Sequence, residues 1–195
     1  KIKGFVSEMG VQTVLCRHQN SDKSDEFWNS LLTSKNNELP RTTIDQDSDF
    51  AVMYTSGSTG HPKGVVMTHR GAISTLMSWH FGLRVLDVMG LGPVPYVDKN
   101  NQPYQPCQLV SVPFFHVSGT HGGLLLALWS GTKLVIMKKW DPPEAVRLIE
   151  LEKVSRFGGV PTMAAEILGE AKKVGAKLES IRLIDTGGAA RPADQ

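Results

Sequence analysis

The sequence has little cysteine and no long hydrophobic run. Its 195 residues contain two cysteines, Cys16 and Cys107, which stand far apart and form no CxxC pair. This scarcity gives no support for a disulfide framework and predicts a reduced, cytoplasmic setting. The longest apolar stretch, residues 124–129, is far too short to cross a bilayer, so no integral membrane segment is expected.

The chain also lacks an excess of charge of either sign. Its 21 Lys and Arg residues are scattered and nearly balanced by 19 Asp and Glu, which leaves a net charge of +2. This balance argues against a nucleic-acid partner. The apolar fraction of 41% is that of an ordinary globular protein with a real core.

Neither an initiator methionine nor a secretory leader is visible. The chain opens Lys1-Ile2-Lys3-Gly4 and stops soon after a strand-like segment. We therefore expect a fragment of a longer protein. A fragment of this kind can expose a sheet edge or pocket-lining apolar surface, which predicts self-association of the isolated chain.

Hydrophobic periodicity predicts an alternation of strands and helices. Strands are expected over residues 11–16, 50–54, 108–113, 133–137, 156–160 and 181–186. Helices are expected over residues 25–32, after Thr68, over 120–129, from Asp141, and over 162–174. Strands separated by helices pair in parallel with right-handed crossovers, so the predicted fold is α/β, with layered, mostly parallel sheets flanked by helices.

A proline-rich interruption divides this pattern. Residues 90–106 hold four prolines and several Gly and Asn, which is typical of an exposed excursion. The sequence therefore predicts a phosphate-loop lobe over residues 1–89, a connecting excursion over 90–106, and a second α/β lobe over 107–195.

The run from Tyr54 to Gly64 carries the strongest chemical signal. It reads Tyr-Thr-Ser-Gly-Ser-Thr-Gly-His-Pro-Lys-Gly and is expected to lie between a buried strand and a helix. Glycine lets backbone N–H groups approach phosphate oxygens, hydroxyls add donors, and the lysine supplies a positive charge. The residues expected to bind phosphate are Thr55, Ser56, Gly57, Ser58, Thr59, Gly60, Lys63 and Gly64.

Two familiar nucleotide loops do not fit this run. A Walker loop needs Lys directly after its second Gly and then Ser or Thr, whereas His61 and Pro62 precede Lys63, and Gly64 follows it. The GxGxxG dinucleotide fingerprint is absent as well. A flexible Gly/Ser turn is the plain alternative, but a linker has no need for the Lys-Gly end or for a strand leading in.

The run and the following Val-Val-Met-Thr-His resemble the most diagnostic motif of the adenylate-forming superfamily, and the segment at 113–119 is similar to one in its acyl- and aryl-CoA synthetases, which indicates the acyl-CoA synthetase branch. Three weaker segments agree in order and spacing: residues 113–119 with their aromatic/His pattern, the Val-Pro-Thr at 160–162, and the Gly-Gly-Ala within 185–190. The resemblance covers roughly residues 10–195. It implies that the chain belongs to the large N-terminal domain of such an enzyme.

The resemblance also implies roles for particular residues. Lys63 and His116 would be catalytic, the first at the ATP phosphates and the second facing the acyl group. The acyl pocket would hold Phe115, His116, Val117, Pro161 and Thr162, and the adenine would lie on Gly187, Gly188, Ala189 and Ala190. The strand before Gly187 is expected to be central in the sheet.

The implied reaction is the ATP-dependent activation of a carboxylic acid to an acyl-adenylate, followed by thioester formation with coenzyme A, with Mg²⁺ accompanying ATP. Val117, followed by Ser118, stands where amino-acid-activating relatives usually carry Asp. This favours a plain acid, with a fatty acid as the first choice, helped by the apolar residues 124–128 and 163–168.

Several alternatives stay open. The acyl group could pass to a carrier protein instead of coenzyme A. The chain alone could bind nucleotide without catalysis, because the family's Tyr-Gly-x-Thr-Glu segment, ribose-binding Asp and C-terminal lysine have no counterpart in it; we expect the chain by itself to be inactive. A metal pair of His116 and His121 is disfavoured, because their i, i+5 spacing lacks supporting ligands. No metal site is expected within the chain.

Overall fold

A computed structural model describes residues 41–55 and 60–189. The strand expected at 11–16 and the helix expected at 25–32 lie outside the described residues. The chain divides into two units, Lys1–Thr43 and Ile44–Gln195, and the elements below all belong to the second unit. The three-part division expected from the sequence stays a prediction.

The first two strands form an antiparallel hairpin. Strand β1, Asp49–Thr55, pairs with β2, Lys63–Thr68, so that Thr55 lies opposite Lys63 and Tyr54 opposite Gly64. The loop lies between a strand and a helix, as expected, but the sequence did not predict the second strand, β2, which comes before the helix. The β-branched and extended run that follows Gly64 pairs back on β1 before the helix begins, because its backbone groups find partners there.

The strand leading into the loop is also less buried than predicted. Val52 and Tyr54 are 51% and 67% exposed in the described part of the chain. A two-stranded hairpin covers neither of its own faces, so these side chains depend on other elements for burial.

Helix α1, His69–Val88, begins where the sequence predicted. Thr68 has an extended backbone, and its hydroxyl accepts a hydrogen bond from the Gly71 N–H at 3.1 Å, which satisfies one of the unpaired donors of the first turn. Ala72 and Leu76 form its buried stripe. An ion pair from Arg70 to Asp47 ties the start of the helix to the segment before β1.

The excursion between the two sheets contains a small turn. Val97 and Pro103 form an isolated antiparallel bridge, and the rings of Tyr96 and Tyr104 stack with their centroids 5.2 Å apart. The Asp98 carboxylate closes the turn by accepting backbone N–H bonds. This segment is thus locally ordered by its own hydrogen bonds.

The main sheet is parallel, as predicted. Its strands are β3, Cys107–Val110; β4, Lys133–Ile136; β5, Arg156–Gly159; and β6, Leu183–Thr186. The order is β4-β3-β5-β6. The predicted α/β class is confirmed, but β6 lies at an edge of the described sheet rather than at its centre. Strand β4 pairs with one edge of β3, and β5 pairs with the other edge. Strand β6 then pairs with the free edge of β5, which leaves β6 at the end of the order.

Two helices cover one face of this sheet. Helix α3, Pro142–Glu152, starts at the N-cap Asp141, and helix α4, Pro161–Val174, ends at Gly175, which has φ of +71°. Their apolar side chains enclose Leu109 and Phe157, both fully buried. The helices predicted from Asp141 and over 162–174 are confirmed within a residue or two.

The helix predicted over residues 120–129 differs in kind. It starts as a π-helix, Ser118–Leu125, and continues as α2, Leu126–Ser130. A Cβ on Gly119 would lie 2.2 Å from the Pro113 carbonyl oxygen, so only glycine permits this approach. A π-helical turn is rare and frequently found at functional sites.

Alternation along the strands gives the sheet two unlike faces. Leu109 and Phe157 point to the core under α3 and α4. The residues next to them in β3 and β5, Gln108, Val110, Arg156 and Gly158, line a cavity on the opposite face. This opposite face holds the candidate site. Within the described ranges, no helix combines the length and the apolar character needed to cross a membrane.

Candidate active site

The end of the hairpin presents the only part of the phosphate loop that the structure describes. Thr55 and Lys63 form the last pair of the ladder, directly opposite each other. Gly60 has φ of +82°, a left-handed conformation that favours glycine. Ser56, Gly57, Ser58 and Thr59 lie outside the described residues. Phosphate binding by this loop stays a prediction.

Gly64 has a packing reason of its own. A Cβ at this position would lie 2.9 Å from the Val52 Cγ1 and 3.5 Å from the Tyr54 ring. The missing side chain therefore lets the two strands of the hairpin pack closely. The sequence alone suggested only access to phosphate.

The aromatic segment after β3 lies against the hairpin. Phe114, Phe115 and Thr120 line a cavity of about 350 Å³ together with residues 50–54 of β1. The Thr120 hydroxyl shares its one proton between the Phe114 carbonyl and the His116 carbonyl, the latter at 3.1 Å. The His116 ring lies beside that of Phe115, with centroids 4.6 Å apart. The structure thus brings the predicted aromatic/His segment next to the strand that enters the phosphate loop.

His121 is a buried histidine that the sequence did not single out for a role. It is 1% exposed, its ring meets Phe50 of β1 edge to face at 6.0 Å, and its Nδ1 has no hydrogen-bond partner among the described residues. Burial lowers the pKa of His121, because a charged imidazolium loses hydration there. His121 therefore connects the π-helix with β1 as a neutral side chain.

The larger cavity, of about 600 Å³, opens beside the carboxyl ends of the parallel strands. Open α/β sheets usually bind ligands in this position. Helix α1 and the π-helix form its walls. Its lining includes Trp79, Leu83, Gln108, Val110, Ser118, Gly122, Arg156, Gly158, Gly159, Val160, Asp185, Thr186, Gly187 and Gly188.

Some of the predicted site residues line this cavity and others do not. Gly187 and Gly188 do, and the Gly187 N–H donates to the Gly159 carbonyl at 3.0 Å, which continues the sheet by one more bond. Ala189 follows them, and Ala190 lies outside the described residues. The predicted acyl-pocket residues Phe115, His116, Val117, Pro161 and Thr162 are not in the lining. Their chain neighbours Ser118 and Val160 are.

Sequence reasoning missed the polar residues of the cavity. Gln108 is nearly fully buried and donates from Nε2 to the Gly122 carbonyl at 3.2 Å. Arg156 and Asp185 form an ion pair with Nε and Oδ2 2.6 Å apart. The sequence feature that could have revealed the ion pair is the charged residue inside each of two short strands, Arg156 in β5 and Asp185 in β6. Charges at such positions are unusual in a parallel sheet, whose strands are commonly apolar on both faces.

A magnesium site is not assembled by the described residues. Among residues 41–55 and 60–189, no three His, Cys, Asp or Glu side chains lie together as ligands for a metal.

Comparison with known proteins identifies the family. The family model described as AMP-binding enzyme matches residues 4–195, and the chain belongs to this family. It is 27% identical over 189 residues to 4-coumarate–CoA ligase 2 of Petroselinum crispum, covering 97% of the chain and 32% of that protein. It is 33% identical over 168 residues to 3-methylmercaptopropionyl-CoA ligase of Ruegeria lacuscaerulensis, covering 86% of the chain and 28% of that protein.

Solved structures agree with this family. The N-terminal domain of FACL13 from Mycobacterium tuberculosis superposes with a TM-score of 0.68 at 26% identity, over 88% of the chain and 38% of that structure. An o-succinylbenzoate CoA synthetase from Bacillus subtilis superposes with a TM-score of 0.56 at 28% identity, over 76% of the chain and 33% of that structure. The chain spans about a third of the length of the curated relatives it matches.

Proposed function

We propose that the full-length protein is an AMP-forming acid–CoA ligase, which activates a carboxylic acid with ATP and passes the acyl group to coenzyme A. The observation that carries this proposal is the large cavity at the carboxyl ends of β3, β5 and β6, which Gly187 and Gly188 line in a chain of the AMP-binding family. The curated relatives named above are CoA ligases, which supports the same reaction class.

The first step of this reaction joins the acid to the nucleotide. A carboxylate oxygen attacks the α-phosphorus of ATP, the bond from that phosphorus to the bridging oxygen of the β-phosphate breaks, and pyrophosphate leaves. The protein contributes positioning and charge stabilisation rather than covalent chemistry. In the second step the thiol of coenzyme A attacks the acyl carbon and AMP leaves.

We assign the phosphates to the hairpin loop. Thr55, Gly60, Lys63 and Gly64, with residues 56–59, would bind the β- and γ-phosphates, because Lys63 and Thr55 stand opposite each other where the loop begins and ends. Each such preorganised donor contributes about 10²–10³-fold in rate. Mg²⁺, when bound with ATP, would neutralise phosphate charge.

We assign the acid to the neighbouring cavities. His116 and Phe115 would face the acyl carboxylate, with Val117, Pro161 and Thr162 supporting this wall, and the adenine would lie on Gly187–Ala190. The acid has an apolar body, as a fatty acid does, because Trp79, Leu83 and Val110 line the large cavity. A fatty acid is therefore the proposed substrate class.

The experiment uses the full-length protein with ATP, a panel of acids and coenzyme A. We expect release of pyrophosphate, formation of AMP rather than ADP, and an acyl-CoA product identified by mass. Replacing Lys63 by Ala should reduce pyrophosphate release about 10²–10³-fold with an unchanged melting temperature. The matched control is Lys99→Ala in the exposed turn at 98–101, which should leave the rate within about twofold.

Two results would contradict the proposal. Formation of ADP and phosphate would show a different phosphoryl chemistry. Normal pyrophosphate release by the Lys63→Ala enzyme would remove the hairpin loop from the site.

An acyl carrier protein is the alternative acceptor. Supplying coenzyme A and a phosphopantetheinylated carrier protein in separate reactions tells the two acceptors apart, since only the true acceptor discharges the adenylate. We propose a cytoplasmic location for the enzyme. Inactivity and self-association of the isolated chain stay predictions, which a pyrophosphate assay and light scattering of that chain would test.

A further inference from the structure

The cavity face of the parallel sheet carries a group of polar side chains. Gln108, Arg156 and Asp185 belong to three adjacent strands and all line the large cavity. Gln108 lies opposite Arg156 in the ladder, and Asp185 lies opposite Gly158. The three side chains therefore share one face, and a Cβ on Gly158 would lie 3.6 Å from the Gln108 Nε2. We call them the polar floor.

The polar floor lies below the glycines at the strand ends. Arg156 precedes Gly159 by three residues and Asp185 precedes Gly187 by two, which is about 7–10 Å at the usual rise along a strand. The glycine segment at 187–188 follows the same strand ends, and Gly187 is bonded to Gly159. In the function proposed above, the carboxylate reacts with the nucleotide whose adenine lies on these glycines, so an acid that extends from that nucleotide down the cavity brings its far end to the polar floor.

The ion pair in the polar floor uses only some of the donors of Arg156 and of the acceptors of Asp185. Arg156 and Asp185 retain side-chain exposures of 25% and 44%. Among the described residues their contact joins Nε to Oδ2 only. A guanidinium has five N–H donors and a carboxylate accepts at two oxygens, so donors and an acceptor remain for a ligand.

The charges of the polar floor determine which chemical group at the far end of the acid binds there most favourably. A plain methyl end would desolvate the free donors and acceptor without replacing their hydrogen bonds, which is unfavourable. A second carboxylate would approach Asp185, whose negative charge already balances Arg156. A neutral group that both donates and accepts, such as a hydroxyl, fits both partners.

Resting on the function proposed above, we propose that the activated acid carries a hydroxyl or similar neutral hydrogen-bonding group at the end of its apolar body, and that Arg156 and Asp185 bind this group. Gln108 is a positioning residue in this arrangement, because its bond to the Gly122 carbonyl holds β3 to the π-helix beside the pair. The substrate class is thus narrowed from fatty acids to hydroxylated ones.

The test compares three acids of matched length on the full-length enzyme. They are ω-hydroxyoctanoate, nonanoate, in which a methyl replaces the hydroxyl, and azelate, in which a carboxylate replaces it. For each acid, kcat/KM for pyrophosphate release is measured, and the affinity is measured separately by calorimetry without ATP. We expect the hydroxy acid to be preferred over both others by about 10–100-fold in kcat/KM, less than a fully enclosed site reaches because the pair is partly solvated.

The variant is the double substitution Arg156→Leu with Asp185→Leu, which removes both charges and leaves neither unpaired. It should bring the hydroxy-acid preference below about threefold. The control is Lys133→Leu with Glu152→Leu, which removes a 2.5 Å ion pair between β4 and α3 outside the cavity lining; it should keep the preference. Asp185→Asn, which preserves shape, should weaken the preference even if the double variant folds poorly.

The outcomes separate the two proposals. Turnover with equal use of all three acids, a preference for nonanoate or azelate, or a hydroxy-acid preference that survives in both floor variants would overturn the polar-floor assignment and leave the ligase function standing. Absence of pyrophosphate release with a binding preference that the floor variants abolish would overturn the ligase function and keep the floor as a ligand site. Absence of both would overturn both.

Discussion

The two faces of the parallel sheet come from the same strands, but one face packs against helices and the other borders a cavity. On one face, Leu109 and Phe157 are fully buried under α3 and α4. On the other face, Gln108, Arg156 and Gly158 border a cavity of about 600 Å³. Neighbouring residues in β3 and β5 thus serve a packed core and an open, polar surface. Stability and ligand binding can therefore be varied separately in this domain.

The largest effect should come from breaking the packed face. Phe157→Ala removes a fully buried ring from the centre of the core cluster and should lower the free energy of unfolding by about 3–5 kcal/mol. Urea denaturation of the protein measures it. The matched control is Phe115→Ala, whose ring is 69% exposed and whose loss should cost under about 1 kcal/mol. Equal losses from the two rings would contradict the division into two faces.

A smaller effect should come from disturbing the cavity side. Gly119→Ala places a Cβ 2.2 Å from the Pro113 carbonyl oxygen, so the π-helix and residues 114–116 must shift. We expect a loss of about 1–3 kcal/mol in unfolding free energy, together with slower acid activation, because His116 and Phe115 move.

Gly169→Ala is the control for that substitution. Gly169 lies inside α4, and an added Cβ would meet nothing within 4 Å. This change should instead stabilise the protein by about 0.5–1 kcal/mol. Destabilisation by both changes would show that the close approach to Pro113 is not the cause.

The smallest effect should be a pH dependence that arises at His121. Burial lowers the pKa of His121 in the folded protein, so the unfolded chain binds a proton more readily. The free energy of unfolding is therefore not reduced by His121 above a pH of about 6.5, the pKa of histidine in the unfolded chain. It decreases as the pH falls below that value. Melting temperatures at pH about 7.5 and about 5.5 should differ less in His121→Gln than in the wild type.

The control for this prediction is a histidine outside the core. His61→Gln, at an exposed position in the hairpin loop, should keep the pH dependence of the wild type. An unchanged pH dependence in His121→Gln would show that this histidine does not cause the loss of stability.

The helices and the parallel strands were predictable because their signals are local. Asp141 followed by two prolines and Glu144 marks a helix start by its own chemistry, and the structure places the N-cap there. Apolar periodicity then located α4, and the strand–helix alternation predicted parallel pairing. The adenylate-forming resemblance was equally local, since it rests on contiguous motifs.

The second strand of the hairpin was not predictable by the same means. Residues 63–68 read as the approach to a helix, but they pair with residues 49–55 across the loop. Only the ladder shows that Gly64 makes room for Val52. The position of β6 at the edge was missed for the same reason, because strand order depends on crossovers rather than on the composition of each strand.

The family motifs, the α/β alternation and the helix starts can be read from the sequence, because each depends on residues that are neighbours in the chain. Which residues face the cavity depends on the folded sheet. Arg156 and Asp185 are 29 positions apart, and their ion pair exists because β5 and β6 lie side by side with these residues on the same face of the sheet. Side-chain direction alternates along each strand, so the division between core and cavity follows from strand register, which forms only when the sheet assembles.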